Sequence, residues 1–375
     1  MDNPPPVQNL PPVWLVKGLN AFRNMLLDMN KKLFPGNVVL YEQFQHFWLL
    51  PSLYVVAKLN IAELLKKAPL SIEGLAVQTQ SHAPSLYRIM RALSAEGIFK
   101  VKSDGKFALN NLARGLLDEP GSLRYMLLHH LGPVNWNLMS NLEYAVKTGN
   151  DAFADKYGKG IYDYLKDNPG ESAIFDHSMS NLSDIGLSPI MNAYRFSKYK
   201  TIADIGGGEG FLLANIIREN PSVRGILFDT KETVQMAPAL FEKYLVRDRV
   251  NIITGNFFKE IPSGADLYIL KNIIHNWNDA QCIDLLKNIH SVMPPHAHVL
   301  IIEMIVNDDQ RQELSKLLDI QMLATMPGGR ERTRSEFENL LGQAGFTPAR
   351  IYKTISPICL IEGQQCGYSH NPQSS

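Results

Sequence analysis

The stretch IADIGGGEGF, residues 202–211, decides how the chain is read. Ile202, Ala203 and Ile205 have the pattern of a buried strand end. Gly206, Gly207 and Gly208 make a turn that permits close approach, and FLLANII from Phe211 opens a helix. Strand, glycine turn and helix in succession form the unit at which open α/β sheets hold nucleotide-like ligands. Which nucleotide is set by the finer spacing.

A dinucleotide fingerprint, G-x-G-x-x-G, would place its third glycine at position 211, which is Phe211. The pattern here is Asp204-x-Gly206-x-Gly208-x-Gly210, and no Gly-Lys-Ser/Thr follows, so a P-loop is excluded. After the helix, RGILFD ends in Asp229, an acid placed to accept hydrogen bonds from ribose hydroxyls. That acid suits a dinucleotide and S-adenosylmethionine alike, so the loop alone leaves both open.

Working outward, strand-like runs alternate with helical ones: KTIADI, VRGILFD, VNIIT, ADLYILKN and HVLIIEMIV. Alternation of this kind predicts an α/β domain whose mostly parallel sheet is covered on both faces. The final runs, ARIYKTI and ICLIEG, are split at Ser356-Pro357; so short a connection predicts an antiparallel pair. KNIIHNWNDAQCIDLLKNI continues a strand, turns, and enters a helix capped by Asn278 or Asp279, which puts Lys271 and His275 at the carboxyl edge of the sheet.

Ahead of this domain, a proline-rich arm leads into the amphipathic VWLVKGLNAFRNMLLDMNKKLF, whose apolar face needs a partner. HFWLLPSLYVVAKLNIAELL reads as helical. Two short helices follow, the second opening at Pro84-Ser85, and IFKVKSDGKFAL turns at Asp104-Gly105 as a hairpin. Helix, turn, helix, hairpin is a winged-helix pattern. The expected division is an arm and helix over 1–45, a winged-helix domain over 46–112, a helical connection over 113–190, the α/β domain over 191–364 and a disordered tail over 365–375.

Charge is balanced, with 37 Lys plus Arg against 37 Asp plus Glu, which gives no electrostatic footprint for a nucleic-acid backbone. Cys282, Cys359 and Cys366 are too few and too scattered for a disulfide framework or a zinc site. His290, His296 and His298 lack a cysteine or acid at ligand spacing, so no metal is expected. The N-terminus has neither the cations nor the apolar core of a secretory signal, and no window approaches the ~20 apolar residues of a spanning helix. The expectation is a cytoplasmic protein that binds neither nucleic acid nor membrane.

The run from IADIGGGEG through FDTKETV, GNFFKEIPSGADLYILKNIIHNWND, VLIIEM and LLDIQMLATMPGGRERTRSEFENLLGQAGF resembles the S-adenosylmethionine-dependent O-methyltransferases of the caffeic acid and acetylserotonin type. The His-x-Trp-x-Asp and Gly-Gly-x-Glu-Arg-Thr runs, in this order, are its specific signals. The resemblance covers about residues 46–362 and extends to that family's N-terminal dimerisation domain through LYVVAKLNIAELL and HAPSLYRIMRALSAEGIF. It implies a Rossmann-like domain with a seven-stranded, mostly parallel sheet whose last strand is antiparallel. It also implies a homodimer formed through the N-terminal domain.

The resemblance assigns S-adenosylmethionine, and its product S-adenosylhomocysteine, to Asp204, Gly206, Gly208, Asp229, Asn256, Phe257 and Lys271. At 256 the family carries an acid; asparagine still accepts a hydrogen bond from the adenine amino group but adds no negative charge. His275 takes the general-base position, with Glu303 and Glu331 as the acids that orient it. A histidine of pKa ~6.5 and a phenol of ~10 would make complete proton transfer before attack cost about 5 kcal/mol, much of which transfer coupled to attack avoids. Phe175 and Met179, Met322 and Met326, and Trp136 and Met139 fall where the family lines its acceptor pocket, which implies a small aromatic acceptor with a hydroxyl.

Each residue also has a plain reading. A histidine beside Trp277 can simply pack, Glu303 can close a strand at the surface, Glu331 can start a helix, and methionines four apart can be ordinary core. Two functional rivals differ in class. A winged helix can read DNA, although PSLYRIMRAL carries only Arg88 and Arg91 as cations. The same fold and cofactor also permit N-methylation, or a reaction that transfers no methyl group.

Overall fold

The computed structural model describes residues 10–309 and 313–366. Most of the proline-rich arm, residues 1–9, and the tail from 367 lie outside the described residues. The described chain divides into two compact units. One comprises residues 15–140 and 162–185; the other comprises, of the described residues, 10–14, 141–161 and those from 186 to 366.

In the mainly helical unit, α1 (Val13–Leu33) and α2 (Gly36–Lys58) are the long elements. The expected single helix through AKLNIAELL is broken: Asn60 adopts a left-handed φ of 55°, and α3 (Ile61–Lys67) starts afresh. The two short predicted helices are α4 (Ile72–Thr79), capped by the Ser71 hydroxyl, and α5 (Ala83–Ala95), with proline in its first turn. Strands β1 (Lys100–Val101) and β2 (Phe107–Ala108) form the antiparallel hairpin. Val56, Ile61, Leu65, Leu75, Leu86, Met90, Leu93 and Phe107 are the buried faces of these elements and make one core.

Seven helices follow: α6 (Asn111–Arg114), α7 (Arg124–His130), α8 (Pro133–Met139), α9 (Leu142–Thr148), α10 (Ala152–Tyr157), α11 (Ile161–Asp167) and α12 (Pro169–Ala193). Gly149 stops α9 with a φ of 70°, as its position after Thr148 suggests.

The α/β unit is built on strands β3 (Thr201–Ile205), β4 (Arg224–Asp229), β5 (Val250–Thr254), β6 (Leu267–Lys271), β7 (His298–Val306), β8 (Arg332–Thr333), β9 (Phe346–Lys353) and β10 (Ile358–Gln365). Seven of them run in the order β5-β4-β3-β6-β7-β10-β9; the eighth, β8, was not expected from sequence and pairs with the end of β7. Pairing is parallel from β5 to β7, and β10 lies antiparallel between β7 and β9. Strand β10 extends to Gln365, one residue into the stretch read as tail.

Alternate residues of the strands feed two cores. Ile202, Leu227, Ile269, Leu300 and Leu360 face α13 (Phe211–Glu219) and α14 (Ala237–Lys243). Ala203, Phe228, Leu270, Ile301 and Ile361 face α15 (Asp279–Val292) and α17 (Arg334–Gln343), while α16 (Leu314–Thr325) precedes β8. At roughly 25 cal/mol per Å2 of apolar surface removed from water, two such cores fix the sheet, and with it the positions of its strand ends.

Candidate active site

The first site residue is set by the glycine turn. Gly206 and Gly208 hold φ of 68° and 63°, a region that side-chain-bearing residues rarely adopt. A Cβ on Gly206 would meet Ile273 Cδ1 at 2.5 Å and Phe257 Cε1 at 3.7 Å, whereas one on Gly208 would meet nothing within 4 Å. The turn is thus closed on the Phe257 side and open at Gly208. The Gly208 N–H donates to Asp229 Oδ2 at 2.9 Å, so the last residue of β4 braces the turn after β3.

Beneath the turn, Asp204 is buried, and its Oδ1 has no hydrogen-bond partner among the described residues. Burial pushes its carboxyl up to about 7, with the nearby Lys271 opposing and Asp229 reinforcing that shift. Burial likewise lowers Lys271, and Asp204 opposes. The two groups thus influence each other electrostatically near the carboxyl ends of β3 and β6. Asn256 is exposed and closes an Asx-type turn by accepting the Phe258 N–H at Oδ1, 2.9 Å away. Phe257 packs edge-on to Trp277, with ring centres 6.0 Å apart.

His275 sits in a short turn of 3-10 helix, Ile274–Asn276, just past β6. Asn272 ahead of it takes a left-handed φ of 54°, which redirects the chain out of the strand. The capping question resolves to Asn278, which forms a reciprocal capping box with Gln281 at the start of α15. Glu303 lies on β7 with three strand residues beyond it, not at the strand's end; its Oε1 accepts the His275 backbone N–H at 3.1 Å. Glu331 Oε1 lies 2.7 Å from His275 Nδ1. Both acids are buried, and the imidazole side chain is 13% exposed.

Burial alone would lower His275, but Glu303 and Glu331 outweigh it and hold the imidazole above its ordinary value. Burial pushes Glu303 up; the histidine opposes, and Glu331 adds to the rise. With Nδ1 hydrogen-bonded to a carboxylate, the neutral ring carries its proton there and its lone pair on Nε2. One donor atom from each of the three side chains falls within 4.8 Å of the others, a set that a cation could also take. The 2.7 Å approach of Glu331 to Nδ1 is a hydrogen-bond distance, shorter than the about 3.3 Å between ligand atoms of a tetrahedral zinc.

Residues 328–333, GGRERT, clamp this turn one by one. A Cβ on Gly329 would strike the His275 carbonyl oxygen at 2.7 Å, so only glycine permits the approach. Arg330 N–H donates to that same carbonyl at 2.9 Å, and Glu331 engages the ring. Arg332 is fully buried; it donates to the carbonyls of Ile274 and Trp277 at 2.9 and 2.8 Å and to Asp279 Oδ1 at 2.8 and 3.0 Å. Asp319 Oδ1 accepts the Glu331 N–H at 2.8 Å. Sequence reasoning did not single out Arg332, Asp319 or Asn272. The arginine had a visible signal, sitting inside a motif already recognised.

The remaining acceptor-side candidates are distributed over the two units. Met322 is buried on α16, and Met326, its C-cap, packs on Gly329 beside the His275 turn. In the helical unit, Phe175 and Met179 are half-buried on α12, and the Phe175 ring lies 5.2 Å from that of His129. Burial, aided by His130, lowers His129 to about 4, so it is neutral near pH 7. Trp136 and Met139 on α8 are about a third exposed, and the Trp136 ring lies 6.1 Å from that of Phe47. His290, His296 and His298 each have a different neighbour. His296 pairs with Asp266 at 3.0 Å, while His290 and His298 lie against the rings of Phe346 and Tyr199.

Comparison with known proteins adds the family. Residues 139–347 match the O-methyltransferase domain, and residues 41–119 match the O-methyltransferase dimerisation domain. The chain is 34% identical over 331 residues to a phenazine O-methyltransferase of Lysobacter antibioticus, covering 88% of this chain and 96% of the relative. It is 30% identical to an 8-amino-8-demethylriboflavin N,N-dimethyltransferase of Streptomyces davaonensis, covering 83% and 90%. Among solved structures, it resembles a mitomycin 7-O-methyltransferase (TM-score 0.82, 29% identity, 88% and 98% covered). It also resembles a calicheamicin-biosynthesis methyltransferase with S-adenosylhomocysteine bound (TM-score 0.79, 30% identity, 88% and 98% covered). A helical dimerisation domain, a mostly parallel sheet with a glycine turn at β3, and a histidine whose backbone and ring each meet a buried acid thus come together in one chain, which belongs to the S-adenosylmethionine-dependent O-methyltransferase family.

Proposed function

We propose that the chain transfers the methyl group of S-adenosylmethionine to a hydroxyl of a small aromatic molecule, with His275 as general base. One observation carries the reading: Glu331 holds Nδ1 at 2.7 Å and so keeps the Nε2 lone pair of the neutral ring for an acceptor proton. Relatives named for phenazine, mitomycin and naphthoic-acid ligands support a flat aromatic acceptor.

The residues present fit the cofactor. The space open at Gly208 admits a ligand against the backbone, Asp229 keeps acceptor capacity for ribose hydroxyls, and Asp204 has an unpartnered buried oxygen beside Lys271. Bound there, S-adenosylmethionine supplies an electrophilic methyl on sulfur. Phe257 and Asn256 would flank the adenine, Lys271 would set the charge beneath the turn, and Met322, Met326, Phe175, Met179, Trp136 and Met139 remain candidates for acceptor contact. His275 would accept the hydroxyl proton at Nε2, and Glu303 and Glu331 would stabilise the imidazolium so formed.

The test is incubation with S-adenosylmethionine and a panel of phenols and hydroxylated heteroaromatics, read by mass spectrometry. Gain of one methyl on oxygen supports the reading, and methylation of aromatic amines alone overturns it. N-methylation is the second reading, favoured by the relative named as an N,N-dimethyltransferase. The two separate at His275, because a neutral amine attacks without first losing a proton. We also propose a homodimer formed through the N-terminal domain, the domain limits given above, and a cytoplasmic location; no single helix among the described residues is long and apolar enough to cross a membrane.

A further inference from the structure

The long helix α1 lies ahead of residue 41, where the dimerisation match begins, and among the described residues none of its 21 residues is buried. Six of its apolar side chains nevertheless share one stripe, with Trp14, Met25 and Leu27 exposed beside it. Leu15, Leu19, Phe22, Leu26, Met29 and Leu33 are spaced 4-3-4-3-4, the seam of a helix that packs against another helix. Leu19, Phe22 and Leu33 are 61%, 57% and 73% exposed. The position opposite the seam is polar throughout: Lys17, Asn24 and Lys31. The seam itself carries no charge.

Two features identify what covers it. Helix α2 continues the exposed apolar surface through Leu40, Tyr41, Phe44, Phe47 and Trp48, the last four within the matched dimerisation domain. Only Phe34 and Pro35 separate the two helices, so the seam leads directly along the chain into a segment whose family description is dimerisation. A seam of under three heptads is too short to hold two free helices together, since sustained pairing takes three to four heptads. Tethered to a domain that already brings two copies together, it needs only the high effective concentration of an intramolecular contact.

We infer that α1 pairs along the Leu15–Leu33 seam with a second copy of this chain, as an added helical strap on the dimer. This rests on the homodimer reading above. A twofold arrangement satisfies it directly, because a self-complementary apolar stripe meets its own copy. At about 1.5 Å per residue, the strap is roughly 30 Å long.

The test is sedimentation equilibrium of the full chain in three forms: wild type, Leu19→Asp with Leu26→Asp, and Asn20→Asp with Asn24→Asp. The third adds the same charge to the same helix off the seam. We expect the wild type to sediment as a dimer of 42.1 kDa chains, the seam pair to raise the dissociation constant tenfold or more (roughly,), and the control pair to match the wild type. Equal constants for all three overturn the strap while the dimer stands. A wild type that remains at 42.1 kDa overturns both. Flotation of the wild type with phosphatidylcholine–phosphatidylserine vesicles, lost in the seam pair while the dissociation constants stay equal, assigns the helix to a lipid surface instead and overturns the strap.

Discussion

Glu331 Oε1 lies 2.7 Å from His275 Nδ1, and the Glu331 backbone is itself fixed by Asp319. The pair predicts a pH profile. Because the neighbouring acids raise His275, the imidazolium persists above the ordinary histidine value, and activity that needs the free Nε2 is lost as pH falls through that raised value. The acid limb of kcat/KM should have its midpoint above about 6.5. Glu331→Gln should move that midpoint down and lower kcat by ~10-fold or more; a midpoint that does not move would show that another group titrates.

His275→Ala should lower turnover of a phenolic acceptor by ~10²-fold or more and leave S-adenosylmethionine affinity nearly unchanged. Calorimetry and steady-state rates measured on one preparation separate the two effects. Weakened cofactor binding would mark the histidine as a structural support of the glycine turn.

Asp229→Ala should act in the reverse order. It removes the acceptor of the Gly208 N–H as well as the proposed ribose contact, so the dissociation constant for S-adenosylmethionine should rise ~10-fold or more while kcat at saturation changes little. Calorimetric titration decides the point.

Arg332 anchors the turn that carries the base without reaching the ring. Arg332→Ala takes the donor from the Ile274 and Trp277 carbonyls, while the half-exposed Asp279 keeps Arg330; a loss of this kind costs about 1–3 kcal/mol. Thermal melting should show it. Arg332→Lys keeps the charge but not the fork, and should lower kcat more than it raises KM, since the base is displaced while the cofactor turn is not touched. An unchanged kcat would reduce Arg332 to a stabiliser of the fold.

Removal of divalent ions should leave the rate unchanged, because the proposed base needs only the hydrogen bond that Glu331 makes to His275 Nδ1. Activity measured after chelation and gel filtration checks this. A rate restored only by added metal would assign the three side chains to a cation.

The parts of this structure governed by local pattern were legible in the sequence. Strands β3 to β7 follow runs of apolar residues closed by turn formers, and Asp229 falls at the end of one strand and His275 in the turn past another because the alternation places them there. What escaped depends on contacts between distant segments. Glu331 reads as a helix-start acid until β8 pairs with β7 and turns it toward the imidazole. Arg332 reads as a surface cation until three acceptors from another turn surround it. The break at Asn60 rests on a left-handed residue that no periodicity announces. The two glycines of GGRERT become intelligible only with Asn278 beside Gly328 and the His275 carbonyl beside Gly329.

The placement of β10 between β7 and β9 has a consequence for how the molecule assembles. Glu303 on β7 faces Cys359 across that pairing, so the strand carrying a proposed active-site acid gains its second neighbour from residues more than 50 positions later in the chain. A contact so distant in sequence forms late and slowly. Until it forms, Leu300 and Ile302 flank an open strand edge, the kind of surface on which partly folded chains aggregate. A polypeptide interrupted before residue 358 would therefore be expected to fail in solubility before it fails in chemistry, even with the glycine turn, the histidine and both acids present in its sequence.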